Sequence, residues 1–177
     1  MQQFPRDRPS PDSPILLWDW RSDTTQSWPD LDGERPTYSP DGRQLAAASP
    51  VGGPAEVRDP ATGDLLHALD GHSAPVVDFA YSPDGSLIAT ASLDGTARLW
   101  NADSGEPVLR LPKLSGEVTS VTFSPDGRHL ATNTHPQGIV RVWTINNDEL
   151  LDIARQNVTR TLTTAECQEF LHTPSCP

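Results

Sequence analysis

An aromatic-Ser-Pro-Asp-Gly pentapeptide occurs three times in this chain, at Tyr38–Gly42, Tyr81–Gly85 and Phe123–Gly127. Its serines, Ser39, Ser82 and Ser124, are 43 and 42 residues apart. A period of that size marks a propeller, a solenoid or an array. Each copy is one supersecondary unit that cannot bury its apolar face alone, so neighbours must stack. The surrounding pattern says what is stacked. Before the pentapeptide's turn lies an alternating run, "VVDFAY" in the second copy and "VTSVTF" in the third, which puts Phe79 and Tyr81, and Val121 and Phe123, on one strand face. After it come "QLAAAS", "LIATAS" and "HLATNT", then "TARLW" and "IVRVW", then "DLLHAL" and "EPVLRL". Four strand-length segments per copy predict one four-stranded antiparallel sheet per repeat. The 18 prolines and 12 glycines agree, since such a density of turn formers favours many short strands over long helices.

Ser-Pro-Asp-Gly itself suits a tight turn between the first two strands. Proline presets φ at its position, and glycine takes the positive φ that the exit requires. A metal loop using Asp41, Asp84 and Asp126 is the competing reading. It fails because those carboxylates fall on three separate turns.

The middle copy, "GHSAPVVDFAYSPDGSLIATASLDGTARLWN", resembles a WD repeat, the β-propeller family also called WD-40, through Gly71-His72, Ser92 and Asp94 in "SLDGT", and Trp100-Asn101. The resemblance covers roughly residues 15–146. It is degraded in the first copy, where Arg58-Asp59 replaces the terminal Trp-Asp, and "LLWDW" at Leu16–Trp20 reads as the end of a still earlier copy. The resemblance implies an all-β chain: a partial β-propeller of about three four-stranded antiparallel blades, incomplete as a ring because propellers have four to eight. It also implies that His72, Ser92, Asp94 and Trp100 form a buried hydrogen-bond tetrad tying one blade together. Leu114 and Pro29 stand where His72 does in the third and first copies, and Pro136 or Gln137 stands where Asp94 does in the third, so only the middle blade is fully pinned. Ser, His and Asp close together also invite a hydrolase reading. No Gly-x-Ser-x-Gly elbow surrounds Ser92, so the chain is read as non-catalytic.

Three segments are expected: a disordered stretch at 1–14, the blades at 15–146 and a helical tail at 147–177. In the tail, Leu150, Leu151 and Ala154 have helical spacing, as do Cys167, Phe170 and Leu171 behind a capping box from Thr163 to Glu166, which predicts two short helices. The tail resembles the C-terminal end of multidomain bacterial WD-repeat proteins, including some with a signalling NTPase of the STAND type, in Leu151–Arg155, Thr159–Thr163, Glu166-Cys167, Phe170–His172 and Cys176-Pro177. No phosphate-binding Gly-x-x-x-x-Gly-Lys-Ser/Thr loop occurs in the chain. Cys167, His172 and Cys176 supply three of the four ligands a closed zinc site wants, so neither a metal nor another cofactor is assigned.

A formal charge of −11, with basic residues scattered singly, argues against nucleic acid and anionic membrane as partners. The longest apolar run, Ile15–Trp18, is too short to cross a bilayer, and the first residues have no leader-like apolar stretch, which points to the cytoplasm. The function expected from the resemblance is a scaffold for protein partners, with a sensor segment of a STAND-type NTPase as the alternative. Ser73, Ala74, Leu93, His135 and Gln137 are the expected partner-facing loop residues. Self-association is one route by which so few blades complete a ring.

Overall fold

The computed structural model describes residues 14–19, 23–48 and 54–145. The segment before Pro14, the predicted tail helices, and Cys167, His172 and Cys176 lie outside the described residues. Among the described residues there is no α-helix. The blades belong to one compact unit ending at Trp143, and a second unit starts at Thr144.

Three antiparallel meanders follow the repeat. The first sheet runs in the order β1 (Pro14–Asp19), β2 (Thr24–Tyr38), β3 (Leu45–Ala48), β4 (Ala55–Arg58), β5 (Leu65–Leu69). The second has β6 (Val76–Tyr81), β7 (Leu87–Ser92), β8 (Ala97–Asn101) and β9 (Pro107–Arg110). The third has β10 (Glu117–Phe123), β11 (His129–His135) and β12 (Ile139–Thr144). The described residues are thus all-β, a partial propeller of three consecutive blades. The expectation of four strands in every blade holds for the second. The first gains a fifth strand, and the third has three among the described residues.

The extra strand pairs as the third strand of the second blade does with its fourth: β1 forms a hairpin with β2, Trp18 opposite Thr25, as Trp100 lies opposite Pro107 between β8 and β9. Residues Thr24–Asp32 thereby extend β2 well beyond the repeat. The register between β2 and β3 breaks between Asp32 and Thr37, where Arg35 takes a φ of 53°.

Each Ser-Pro-Asp-Gly forms the same closed turn. In the second blade the Gly85 amide donates to the Ser82 carbonyl (2.9 Å) and the Ser82 hydroxyl to Asp84 (2.6 Å), while the Leu87 and Ser86 amides donate to the Ser82 hydroxyl and to Asp84 (2.9 and 3.0 Å). Ser39–Asp41 and Ser124–Asp126 repeat it. Gly42, Gly85 and Gly127 have φ of 72°, 75° and 70°, a region where a Cβ is strained. The turn's carboxylates therefore serve backbone amides.

The blades stack by setting a large-residue face against a small-residue one. Ala46, Ala48, Ala55 and Val57 of the first blade form one buried cluster with Val76, Phe79, Tyr81, Ile88 and Trp100 of the second. On the second blade's other face, Ala89 opposite Leu99 and Ala91 opposite Ala97 are all buried. Strands β6 and β7 meet β10, whose Val118 and Val121 are buried too. Strand β6 lies between β2 and β10, and polar links cross these seams. The Asp78 carboxylate accepts the Val121 amide from the third blade at 2.9 Å and faces Arg35 of the first at 3.4 Å. The Gln44 side chain donates to the Ala102 carbonyl (3.0 Å) and accepts from the Tyr81 hydroxyl (3.3 Å).

Candidate functional site

A chain of side-chain hydrogen bonds runs through the second blade. The Trp100 indole donates to the Thr90 hydroxyl at 2.9 Å. That hydroxyl lies 2.8 Å from His72 Nε2, and His72 Nδ1 lies 2.9 Å from Asp94 Oδ2. Asp94 also accepts the Thr96 hydroxyl (2.6 Å) and the amides of Thr96 (2.8 Å) and Ser73 (3.1 Å). Burial pushes His72 below its ordinary value of 6.5, and the bond to Asp94 offsets this only in part. Burial acts on Asp94 in the opposite sense, but the bonds from Thr96, His72 and Ser73 outweigh it and hold the carboxyl far below its usual range. A neutral imidazole bearing its proton on Nδ1 satisfies every partner: indole to hydroxyl, hydroxyl to Nε2, Nδ1–H to carboxylate.

Three residues expected together, His72, Asp94 and Trp100, are in this chain. The hydroxyl at its centre is that of Thr90, and Ser92 lies outside it. Ser92 donates to the Ala74 carbonyl at 2.9 Å and accepts the Asp94 amide at 3.1 Å. Strand register explains the difference. Trp100 sits opposite Ile88, so Thr90 is two residues along the same face and Ser92 four, or roughly 13 Å at the rise of a β-strand. The same geometry removes the hydrolase arrangement. His72 Nε2, the nitrogen that would take a proton from a nucleophile, is held by Thr90, and both Ser92 bonds go to backbone. In the third blade half of the chain persists: the Trp143 indole donates to Thr132 at 3.0 Å, with Leu114 in place of the histidine.

This network ends at one edge of the sheets and fixes the loops there. The β5–β6 loop is tied to the β7–β8 turn by the Ser73 amide on Asp94 and the Leu93 amide on the Pro75 carbonyl (3.1 Å). The β7–β8 turn is tied to the β9–β10 loop by the Leu114 amide on the Gly95 carbonyl at 2.8 Å. Gly116 continues the layer: at φ 113°, a Cβ there would lie 2.5 Å from the His135 carbonyl oxygen in the β11–β12 region. Ser73, Ala74, Leu93, His135 and Gln137 all lie in this row. The side chains of Ser73, His135 and Gln137 are exposed, and those of Ala74 and Leu93 are half-buried. Sequence reasoning passed over Lys113, an exposed cation in the same row, although its place between two predicted strands was a usable signal.

The opposite edge carries the Ser-Pro-Asp-Gly turns. A cavity of about 260 Å³ opens there between the first two blades, lined by Ser39, Asp41, Gln44, Asp84, Ser86 and Asp103. Hydrogen bonds from Ser39 and the Arg43 amide lower Asp41, and those from Ser82 and Ser86 lower Asp84. Among the described residues no cluster of His, Cys, Asp and Glu could hold a metal ion.

A family profile described as "WD domain, G-beta repeat" matches residues 63–101 and 105–144. These two segments, a little under half of the chain, are similar to WD repeats. Curated relatives with similar segments include Ribosome assembly protein 4 of Chaetomium thermophilum, 43% identical over 71 residues, or 40% of this chain and 14% of that protein. The Periodic tryptophan protein 2 homolog of Mus musculus is 33% identical over 105 residues, 55% of this chain and 11% of the relative. An uncharacterised WD repeat-containing protein of Synechocystis is 38% identical over 95 residues, 53% and 27% respectively. The matched stretch thus spans a small part of each relative. Among solved structures, the computationally designed Ika4 protein superposes with a TM-score of 0.64 over 78% of this chain and 83% of its own, at 21% identity, a likeness of fold. The two matched segments include every residue of the His72–Asp94–Thr90–Trp100 chain and all five loop residues.

Proposed function

We propose that this chain is a non-catalytic scaffold that binds a protein partner through the loop row holding Ser73, Leu93, Lys113, His135 and Gln137. The observation that carries the reading is the anchoring of that row. Backbone groups of consecutive loops are fastened to Asp94, Pro75 and Gly95, so exposed side chains are presented on a rigid edge. Loops positioned by a fixed scaffold are where binding residues concentrate, and pre-ordering them lowers the entropic cost of association. The relatives support an assembly role: one is named as a ribosome assembly protein. The relatives' names lend nothing to the reading as part of a signalling NTPase. The net charge of −11 disfavours nucleic acid as the direct ligand.

Paired surface variants test the proposal in affinity capture from the native host. His135→Glu with Gln137→Glu alters the loop row, and Asp84→Ala with Asp126→Ala alters the opposite edge. Partners lost from the first variant and retained by the second are the expected result. Loss only from the second would move the binding surface to the turn edge.

A further inference from the structure

The second blade sets two arginines side by side. Arg98 on β8 lies directly opposite Arg110 on β9. Side chains so opposed start from Cβ atoms about 4.5–5.5 Å apart, and like charges there destabilise a sheet. Among the described residues neither arginine has a carboxylate partner, and the Arg110 side chain has no hydrogen-bond partner either. Arg98 is held by uncharged groups. Its Nη2 donates to the Gly71 carbonyl at 2.5 Å, and its guanidinium carbon lies 5.9 Å from the centre of the Trp100 ring. Its Nε is buried and has no acceptor. A Cβ on Gly71 would overlap this guanidinium, so the glycine makes room for it. Both positive charges bear on His72, where each disfavours the imidazolium. The fold does not require the pair. In the first blade the same two positions hold Glu56 and Ala68, again opposite each other, and Glu56 is neutralised by Arg58 at 2.7 Å. Arg110 and Gly71 are exposed and Arg98 is half-buried.

We propose that Arg98 and Arg110 dock an acidic peptide segment of a protein partner, with a carboxylate taken between the two guanidinium groups. A guanidinium is a planar fork of donors whose geometry matches the two oxygens of a carboxylate. Arg98 is already oriented by Gly71 and Trp100, and Arg110 has all of its donors to offer. The bound carboxylate supplies the counter-charge the pair lacks, so repulsion borne by the free blade is relieved on binding. Elsewhere the net charge of −11 repels an acidic segment, which favours this corner over the rest of the surface. Exposed Lys113, whose side chain lies over Gly95, adds a third cation near the same end of the blade. That the occupant belongs to a protein rests on the reading of the loop row, which Gly71 adjoins through Ser73. The anion site itself does not depend on it.

The test is fluorescence anisotropy of a labelled hexaglutamate peptide titrated with the whole chain, with hexaglutamine as the neutral control. Hexaglutamate is expected to bind and hexaglutamine is not. Arg110→Gln is expected to weaken binding by about tenfold or more, the loss of a charge-assisted hydrogen bond. Arg110 is exposed, so circular dichroism of that variant should show the fold retained. Arg98→Lys keeps the charge and loses the fork, and should weaken binding by a smaller factor. Arg128→Gln removes the same charge from an exposed position on the turn edge and should leave binding unchanged, because a screened distant charge contributes little. Absence of binding, equal binding of hexaglutamine, or an equal loss in Arg128→Gln would overturn the proposal. So would tighter binding, through the same arginines, of a matched phosphoserine peptide or a single-stranded oligonucleotide. The probe is a synthetic peptide, so a failure here is distinct from a failure of the loop-row variants to lose a captured partner.

Discussion

Replacing Thr90 by valine removes one oxygen and preserves shape. Thr90 is fully buried and Trp100 is 1% exposed, so water cannot restore what is lost. Two groups lose their partner at once: the Trp100 indole N–H and His72 Nε2. Each buried group left unpaired costs about 1–3 kcal/mol. The added methyl returns about 1 kcal/mol of apolar burial. The net loss is about 3 kcal/mol, which for a chain of this size lowers the melting temperature by roughly 6–12 °C. The third blade supplies an internal control. Among the described residues the Thr132 side chain bonds only the Trp143 indole, and that tryptophan is partly exposed, so Thr132→Val should cost about 1 kcal/mol. Thermal melts of the two variants, with the indole N–H resonances followed by NMR, make the comparison. Equal destabilisation, or a Trp100 indole signal unmoved by Thr90→Val, would refute the bond chain as described.

Other consequences follow from the same contacts. Both His72 and Asp94 bind protons less readily folded than unfolded, so each contributes stability that is lost on acidification. Melting temperature should fall as pH drops below the ordinary histidine value of 6.5 and fall further below 3.8; His72→Gln should abolish the first decline, and a flat profile through it would contradict a buried neutral imidazole. Asp78→Ala strands the buried Val121 amide and should cost about 1–3 kcal/mol in denaturant titration. Asp78→Asn keeps an acceptor and loses only the pair with exposed Arg35, so its cost should stay below about 1 kcal/mol. Gly116→Ala puts a Cβ against the His135 carbonyl at a positive φ and should destabilise by more than about 1 kcal/mol, with amide exchange rising first in the loop row.

The repeat made most of the fold legible. Identical turns at a fixed period, flanked by alternating runs, dictate stacked meanders, and the burial of Phe79 and Tyr81 follows from their spacing. What escaped was pairing. The β1–β2 hairpin uses Thr24–Asp32, a polar stretch interrupted by Pro29 with no apolar alternation, so its strand character comes from its partner and not from its own pattern. Thr90 was missed in favour of Ser92 because both alternate onto one face. Only the register with β8 shows which of them reaches Trp100. Asp78 reads as an ordinary polar break in an apolar strand. Its link to Val121 crosses from one blade to the next, 43 residues along the chain, and no local pattern announces it.

The central claim is that binding uses the loop row and not the turn edge. Amide hydrogen exchange of the chain, alone and saturated with a captured protein partner, measures it directly. New protection confined to residues 70–75, 93–96, 112–116 and 135–138 is the predicted footprint. Protection appearing instead at the turns 39–44, 82–87 and 124–129 would contradict the account.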